Sequence, residues 1–309
     1  MAQPVYFLAT GGIAHMLRHL ANCLLFPQLG QRPVAYVSTA YPTTGVPLDE
    51  LFTWSDLPIV TSAEAVQLAK DFVPPIAGWP ARLDDYQVEW EAPDNYVLLG
   101  AAEDTCRMVQ LRHWLEVDSN TCIVTTGSWG TDPGKYRGNT LNEALAHLLP
   151  RLTVCLDARE RMIDLTGRLP ERYIGVHFRN TDMRSDFTAV AERMRMTLST
   201  SGAKSIYWAT DDPSSLARAQ EEFPDFEFMS EATLPNEIGV EFRALHFAPN
   251  EVLRTYGLDK RVQQLEALVD IFALSRATNF IGNGSSGMSA FVDFLRDAPA
   301  TSTKFFTVE

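Results

Sequence analysis

The segment Tyr173-Ile-Gly-Val-His-Phe178 is a mainly apolar run that ends in the polar sequence Arg179-Asn-Thr-Asp182. Such a run predicts a buried strand followed by a loop. Strand and helix patterns then alternate to the end of the chain, which predicts a parallel sheet covered by helices. The predicted strands are 205–209, 227–229 and 279–281, and the predicted helices are 188–199, 214–222, 260–275 and one that begins near 287.

The first half of the chain shows a similar organisation. An apolar run at 5–9 ends at Thr10-Gly11-Gly12, after which apolar residues recur at helical spacing over 13–26. At 309 residues the chain is longer than one hydrophobic core usually serves. We therefore predict an α/β protein of two Rossmann-like domains, residues 1–160 and 161–309. The other elements predicted in the first half are strands at 33–38, 96–99 and 121–126 and helices at 139–149 and 154–165.

Charge and composition argue against several classes of protein. The formal net charge of −13 disfavours a protein that coats nucleic acid or an anionic membrane, because neutralising phosphates requires a basic surface. No stretch reaches membrane-spanning length and the start of the sequence lacks a signal-peptide pattern, so we predict a cytoplasmic protein. The four cysteines include no Cys-x-x-Cys pair. Residues 168–195 hold six arginines against four carboxylates, which favours a small anionic ligand there.

Polar residues follow three of the predicted strands of the second half. In open α/β sheets, ligands bind beyond the carboxyl ends of the strands, so these residues should share one edge. An arginine fork suits a diphosphate, and a helix that begins after two serines offers N–H groups and hydroxyls to an anion. Each group also has a structural alternative, an ion pair for the arginine and helix capping for the others. The three groups are His177-Phe-Arg179-Asn-Thr181-Asp182, Asp211-Asp212-Pro213 and Gly282-Asn-Gly284-Ser285-Ser286.

These segments resemble the motifs of the NodZ-like α-1,6-fucosyltransferases. The segment from His177 to Asp182 resembles the first motif of the family, and Tyr207-Trp-Ala-Thr-Asp211-Asp212 resembles the second. Asp270 together with Gly282-Asn-Gly-Ser285-Ser286 is similar to the third. The order and spacing of the motifs agree, and the resemblance covers about residues 173–295.

The resemblance implies the GT-B fold, in which two Rossmann-like domains face each other across a cleft. It implies transfer of fucose from GDP-fucose to a carbohydrate or other hydroxyl acceptor, with inversion and without a metal or other cofactor. The C-terminal domain would bind the GDP-sugar, and the N-terminal domain would be the acceptor side.

Seven residues match functional positions of the family. His177 and Arg179 match residues that contact the donor diphosphate and stabilise the charge that develops on it. Asp270 matches the acid that faces the guanine or its ribose. Two hydroxyls near the phosphates and an acidic pair that shapes the site complete the set: Ser285, Ser286, Asp211 and Asp212.

Two further candidates come from their positions alone. Gly12 opens the first predicted helix, where it contacts donor or acceptor or simply allows the turn. Asp186 lies just beyond the first motif and is the candidate general base that deprotonates the acceptor. The alternative for Asp186 is a surface ion pair with Arg184.

Two departures from the family pattern keep other functions open. Asn180 stands where the family often has a second basic residue, and Met183 stands where it has a lysine. The alternatives are transfer from another GDP-sugar such as GDP-mannose, or nucleotide-sugar binding without turnover. A nicotinamide-dependent oxidoreductase is disfavoured because Gly11-Gly12 lacks the G-x-G-x-x-G spacing.

Overall fold

A computed structural model describes residues 5–8, 12–23, 34–37, 46–61, 64, 96–99, 122–125, 141–180, 185–233, 250–284 and 286–306. The chain divides into two compact units, Met1–Thr153 and Val154–Glu309. This division precedes the helix Leu156–Arg168, whereas the boundary predicted at residue 160 falls inside it. The helix belongs wholly to the second unit because it packs there against the helix Lys260–Arg276.

The N-terminal unit is built on a parallel sheet with the strand order β4-β2-β1-β6-β5. The short strand β3 lies outside this sheet and pairs with β7, whose last residue, Val154, is the first residue of the second unit. The helices α1 (Ile13–Cys23) and α2 (Leu141–Leu148) pack against each other. The strands are β1 (Val5–Leu8), β2 (Val34–Val37), β3 (Phe52–Trp54), β4 (Ile59–Val60), β5 (Tyr96–Leu99), β6 (Cys122–Thr125) and β7 (Leu152–Val154).

Helix α1 shows why this part of the sequence folds as predicted. Its apolar residues recur every three or four positions, and Ile13, Met16, Leu17 and Leu20 are all buried. This spacing forms one apolar stripe along the helix, which packs onto neighbouring elements while the other face stays polar. Two short 3-10 turns, Leu48–Glu50 and Leu149–Arg151, complete the described part of the unit.

The C-terminal unit is built on a parallel sheet with the strand order β10-β9-β8-β11. Its strands are β8 (Tyr173–Phe178), β9 (Ser205–Thr210), β10 (Glu227–Met229) and β11 (Asn279–Ile281). Its helices are α3 (Leu156–Arg168), α4 (Phe187–Ser201), α5 (Pro213–Glu222), α6 (Asn250–Thr255), α7 (Lys260–Arg276), α8 (Gly287–Asp297) and α9 (Pro299–Phe305). Within the described ranges of the chain, no helix has both the length and the apolar character needed to cross a membrane.

The two central strands are buried along their whole length, as expected for a parallel sheet covered on both faces. Their side chains alternate between the two faces. On one face, Trp208 stacks on Phe178 with ring centroids 5.6 Å apart, and both pack against α4. On the other face, Tyr207 and His177 meet residues of α7 and α8.

Gly175 allows β8 to lie close to α7. A Cβ atom on Gly175 would stand 2.9 Å from Cβ of Ala277 and 3.0 Å from Cδ2 of Leu274. We expect Gly175→Ala to lower the free energy of unfolding by about 1–3 kcal/mol, the usual cost of an extra methyl group in a packed core. Urea unfolding followed by circular dichroism measures this loss.

Gly167 provides the matched control for this substitution. It lies exposed in α3, and an added Cβ would meet nothing within 4 Å. We expect Gly167→Ala to be neutral or to stabilise the protein by up to about 1 kcal/mol, because alanine favours the helix. A Gly175→Ala protein as stable as the wild type would contradict the close approach of β8 and α7.

Candidate functional site

The strand order of the C-terminal sheet places a topological switch point between β8 and β11. From β8 the chain continues on one side through β9 to β10, whereas β11 joins the other side of β8. In open α/β sheets, ligands bind at such a point, outside the carboxyl ends of the strands. The residues that follow β8, β9 and β11 therefore form the candidate site.

Two hydrogen bonds join Arg179, which directly follows β8, to Ser185. The backbone N–H of Arg179 donates to Oγ of Ser185 at 3.1 Å, and the backbone N–H of Ser185 donates to the carbonyl of Arg179 at 2.8 Å. The side-chain amide of Asn283, which follows β11, donates to the same Oγ at 3.2 Å. Ser185 thus joins the segments after β8 and β11 and fixes the backbone of the half-buried Arg179 beside them.

The acidic pair after β9 is tied to the end of β8 through Asn180. Its backbone N–H donates to Oδ1 of Asp211 at 2.8 Å, and its side-chain amide donates to Oδ2 of Asp212 at 2.8 Å. The other carboxylate oxygen of Asp212 accepts the N–H of Ser214 at 2.9 Å and so caps α5. The structure therefore gives Asp212 the helix-capping role that the sequence left open as an alternative, and both carboxylate oxygens of Asp212 accept hydrogen bonds within the protein. Contact of Asp211 and Asp212 with the GDP-sugar stays a prediction.

His177 lies near the end of β8 and faces α8. Its Nδ1 is 2.8 Å from Oγ of Ser289, and 6% of the residue's surface is exposed. Burial, reinforced by the positive charge of Arg179, lowers the pKa of His177 to about 3. The imidazole is therefore neutral at physiological pH. It can donate one hydrogen bond to a phosphate but adds no positive charge to that of Arg179, so stabilisation of the diphosphate by His177, which stays a prediction, would act through a neutral N–H group.

Helix α8 begins at a serine whose hydroxyl lacks a partner. Ser286 is the N-cap residue, it is 2% exposed, and its Oγ makes no hydrogen bond within the part of the chain that the structure describes. Buried hydroxyls normally have a partner, so this one is available to a ligand. The side chain does not cap the helix, and the first N–H groups of a helix attract anions. Ser286 and the first turn of α8 are therefore able to bind an anion such as a phosphate.

Asp270 lies in the interior, on α7 beneath β9. Tyr207 donates its hydroxyl to Oδ1 of Asp270 at 2.6 Å, while Oδ2 makes no hydrogen bond to any residue described here by the structure. Burial raises the pKa of Asp270 to about 7; the bond from Tyr207 opposes this change, and the negative charges of Glu266 and Glu231 add to it. Contact of Asp270 with a guanine or ribose stays a prediction.

Comparison with known proteins gives matches by structure alone. No protein-family model and no curated protein matches the sequence. NodZ α-1,6-fucosyltransferase soaked with GDP-fucose matches with a TM-score of 0.56 and 14% identity, over 96% of this chain and 93% of that chain. POFUT1 in its apo form gives a TM-score of 0.55 at 13% identity over 96% of both chains. NodZ from Bradyrhizobium gives 0.55 at 14%, over 95% of this chain and 93% of that one.

This chain has the fold of these fucosyltransferases. The similarity confirms the GT-B fold that was predicted from three motifs of the second half. It also covers the N-terminal half, where the sequence shares with this group only a strand, a glycine turn and a helix.

The remaining candidates from the sequence have other surroundings. Asp186 is the N-cap of α4: its Oδ1 accepts the N–H groups of Thr188 at 2.9 Å and Ala189 at 3.4 Å. The structure thus gives Asp186 a capping role, and its role as a base stays a prediction. Gly12 lies in the N-terminal unit at the start of α1, where its carbonyl accepts the N–H of His15 at 2.9 Å. Five residues discussed from the sequence lie outside the described part of the chain: Thr181, Asp182, Met183, Arg184 and Ser285.

Several residues of the site were given no role from the sequence. Ser185 follows Arg179 after six positions and belongs to no pattern of the fucosyltransferase motifs. Ser289 offered a signal, because it stands three residues after the N-cap Ser286 and therefore lies on the same side of the first helical turn. Tyr207 offered another, since a tyrosine inside a buried strand needs a partner for its hydroxyl. Among the described residues, no three or more His, Cys, Asp or Glu side chains are grouped to hold a metal ion.

Proposed function

We propose that this chain is an inverting, metal-independent glycosyltransferase that transfers fucose from GDP-fucose to a hydroxyl of a carbohydrate or another acceptor. The observation that carries the proposal is the anion-binding arrangement at the switch point of the C-terminal sheet. His177 lies near the end of β8 and Arg179 directly follows that strand. Ser286 and the N-terminus of α8 come after the adjacent strand β11. The fold supports it, because the solved structures that share it include NodZ soaked with GDP-fucose and POFUT1 in complex with GDP-fucose.

The chemistry follows from the leaving group. The acceptor oxygen bonds to the anomeric carbon from the face opposite GDP while the bond from that carbon to the diphosphate oxygen breaks, and the acceptor proton passes to a base, for which Asp186 is the candidate. Negative charge grows on the diphosphate as this happens. Arg179 stabilises it through two parallel hydrogen bonds, and the N–H groups of α8 with the Ser286 hydroxyl bind the phosphate oxygens. These groups take the place that a divalent cation has in other transferases.

In this proposal each unit binds a different part of the substrates. The C-terminal unit binds the donor, with its phosphates at the ends of β8 and β11. Asp270 accepts hydrogen bonds from the guanine through Oδ2, the oxygen that Tyr207 leaves available. The N-terminal unit, with Gly12 at its first helix, binds the acceptor or the sugar of the donor.

Thermal unfolding in the presence of nucleotides tests the donor. GDP and GDP-fucose should raise the Tm in EDTA, because a ligand at one hundred times its Kd stabilises the folded state by about 2.7 kcal/mol. UDP- and CMP-sugars should not, since their bases lack the adjacent N–H donors that a carboxylate such as Asp270 accepts. A larger shift with a UDP-sugar would overturn the donor assignment.

Transfer assays on an acceptor panel separate the remaining alternatives. GDP-fucose should be consumed in EDTA when a suitable acceptor is present. Transfer from GDP-mannose instead would replace fucose as the donor sugar, and binding without transfer or hydrolysis would indicate a nucleotide-sugar binding protein. Activity that is lost in EDTA and restored by manganese would contradict metal independence.

A further inference from the structure

The hydroxyl of Ser289 lies in a buried position beside His177. Ser289 belongs to the first turn of α8 and is 1% exposed, and its Oγ is 2.8 Å from Nδ1 of His177. The same Oγ accepts the backbone N–H of Asn283 at 3.0 Å. Within the described residues, the oxygen has these two partners. One hydroxyl thus connects the end of β8, the segment after β11 and the start of α8.

Gly282 leaves the space that this hydroxyl occupies. A Cβ atom on Gly282 would stand 2.8 Å from Oγ of Ser289 and 2.7 Å from the ring of Phe280. Atoms do not approach a Cβ so closely in a relaxed structure, so any side chain at this position would displace the serine or the ring. The segment after β11 therefore packs around the Ser289 hydroxyl.

The two contacts determine where the protons lie. Asn283 donates its N–H, so it uses one lone pair of Oγ and leaves the hydroxyl proton to be donated. Nδ1 of His177 accepts that proton if it carries none of its own. If Nδ1 were protonated, Oγ would accept two N–H groups and its own proton would have no acceptor among the described residues, at the cost of an unsatisfied buried donor. Burial keeps the imidazole neutral, with its pKa lowered to about 3, so the single ring proton belongs on Nε2.

We propose that Ser289 is a positioning residue that keeps the ring proton of His177 on Nε2. The Nε2–H group then donates a hydrogen bond to the leaving diphosphate. The identity of the acceptor rests on the proposed function, whereas the position of the proton does not. A neutral N–H donor suits this place, because Arg179 already supplies positive charge and an imidazolium beside it would be repelled. The serine thereby decides which of the two ring nitrogens donates.

Nitrogen-15 NMR of the full chain, labelled at histidine and free of ligand, tests the position of the proton. The signals of His177 are assigned among the six histidines by their loss in His177→Gln. At pH 7 we expect an unprotonated Nδ1 and a protonated Nε2. A protonated Nδ1 in the wild-type protein would overturn the proposal without need of any further variant.

Ser289→Ala tests the link from the hydroxyl to the ligand. Without the hydroxyl proton we expect a mixture of the two tautomers and a Kd for GDP about two- to threefold higher, the factor by which the population of the Nε2–H tautomer falls. Ser205→Ala is the matched control, because Ser205 is also buried but lies at the start of β9, with its Oγ 3.4 Å from Glu227. Both the tautomer and the Kd should stay at the wild-type values in this control.

The outcomes separate the two proposals. An Nε2–H tautomer and a wild-type Kd retained in Ser289→Ala would show that the serine does not position His177. A wild-type protein that has the expected tautomer, loses it in Ser289→Ala and binds no GDP would contradict the proposed function while supporting the role of Ser289 in fixing the proton.

Discussion

Arg179→Ala should lower kcat by about 100-fold or more while weakening GDP binding much less. The size of the effect is that seen when one preorganised donor is removed from a site where charge develops in the transition state. Arg179 meets this condition in the proposed function, because it directly follows β8 and its backbone is fixed by the hydrogen bond to Ser185. Interactions that strengthen as the bond to the diphosphate breaks affect kcat more than ground-state binding. Single-turnover transfer and calorimetric titration with GDP measure the two quantities.

Arg179→Lys and Arg195→Ala make the result interpretable. Lysine keeps the charge but lacks the fork that donates two parallel hydrogen bonds, so it should restore little of the activity. Arg195 is an exposed arginine of α4 that pairs with Glu222, and its removal should leave transfer unchanged. An Arg179→Ala protein that is folded by circular dichroism and turns over at a near-normal rate would show that the arginine has only a structural role.

The fold of the C-terminal unit could be predicted because its elements are long or bounded by clear signals. β8 and β9 are continuous buried runs, Gly202 with φ 67° is the C-cap of α4, and Asp212 is the N-cap of α5, which begins with a proline. The predicted bounds lie within a few residues of the observed ones. The short elements β3, β4, β7, α6 and α9 escaped prediction, because two to seven residues are too few for a periodic pattern. Val154 was assigned to a helix and lies instead at the end of β7, where pairing with β3 outweighs local preference.

The sequence located the candidate site but not the state of its groups. The carboxyl ends of β8, β9 and β11 can be recognised in the sequence, because polar residues follow apolar runs there. The neutrality of His177 and the raised pKa of Asp270 arise from burial, which depends on helices that are distant along the chain. The engagement of Asn180 with Asp212 has the same origin, because the two residues meet only when β8 and β9 pair. Hydrogen bonding of this kind is set by tertiary contacts, so no motif of one segment predicts it.

GDP-fucose should bind more tightly as the pH rises from 6 to 8, and Asp270→Asn should abolish this dependence and raise the Kd by about 100-fold. In the proposed function, the guanine donates to Oδ2 of an ionised Asp270, which a proton would block. The pKa of about 7 in the free protein means that the affinity falls by about tenfold for each pH unit below 7. Glu266, Glu231 and Tyr207 are the titratable groups that act on Asp270, and the pKa values of Glu266 and Tyr207 are themselves raised by burial.

A rise in pH that strengthens binding through Asp270 should lower the stability of the ligand-free protein. The pKa of Asp270 is about 7 in the folded protein against 3.8 ordinarily, so between about pH 4 and 7 the folded state binds more protons than the unfolded chain. The free energy of unfolding therefore falls through this window as the pH rises, by on the order of 3–4 kcal/mol from this group. Asparagine accepts the Tyr207 hydroxyl without ionising, so Asp270→Asn should match the wild type near pH 4 and exceed its stability at pH 8.

Urea unfolding at pH 5 and pH 8, with calorimetric binding of GDP-fucose at the same values, distinguishes the two effects. GDP-fucose is the suitable ligand because its diphosphate, esterified at both ends, does not titrate in this range. A gain in stability at pH 8 together with a loss of binding would mean that Asp270 is kept as a costly buried carboxylate for the sake of the guanine. Unchanged binding of GDP-fucose by Asp270→Asn would contradict the guanine contact. A variant that is less stable at pH 8 would show that the ionised pair with Tyr207 stabilises the fold.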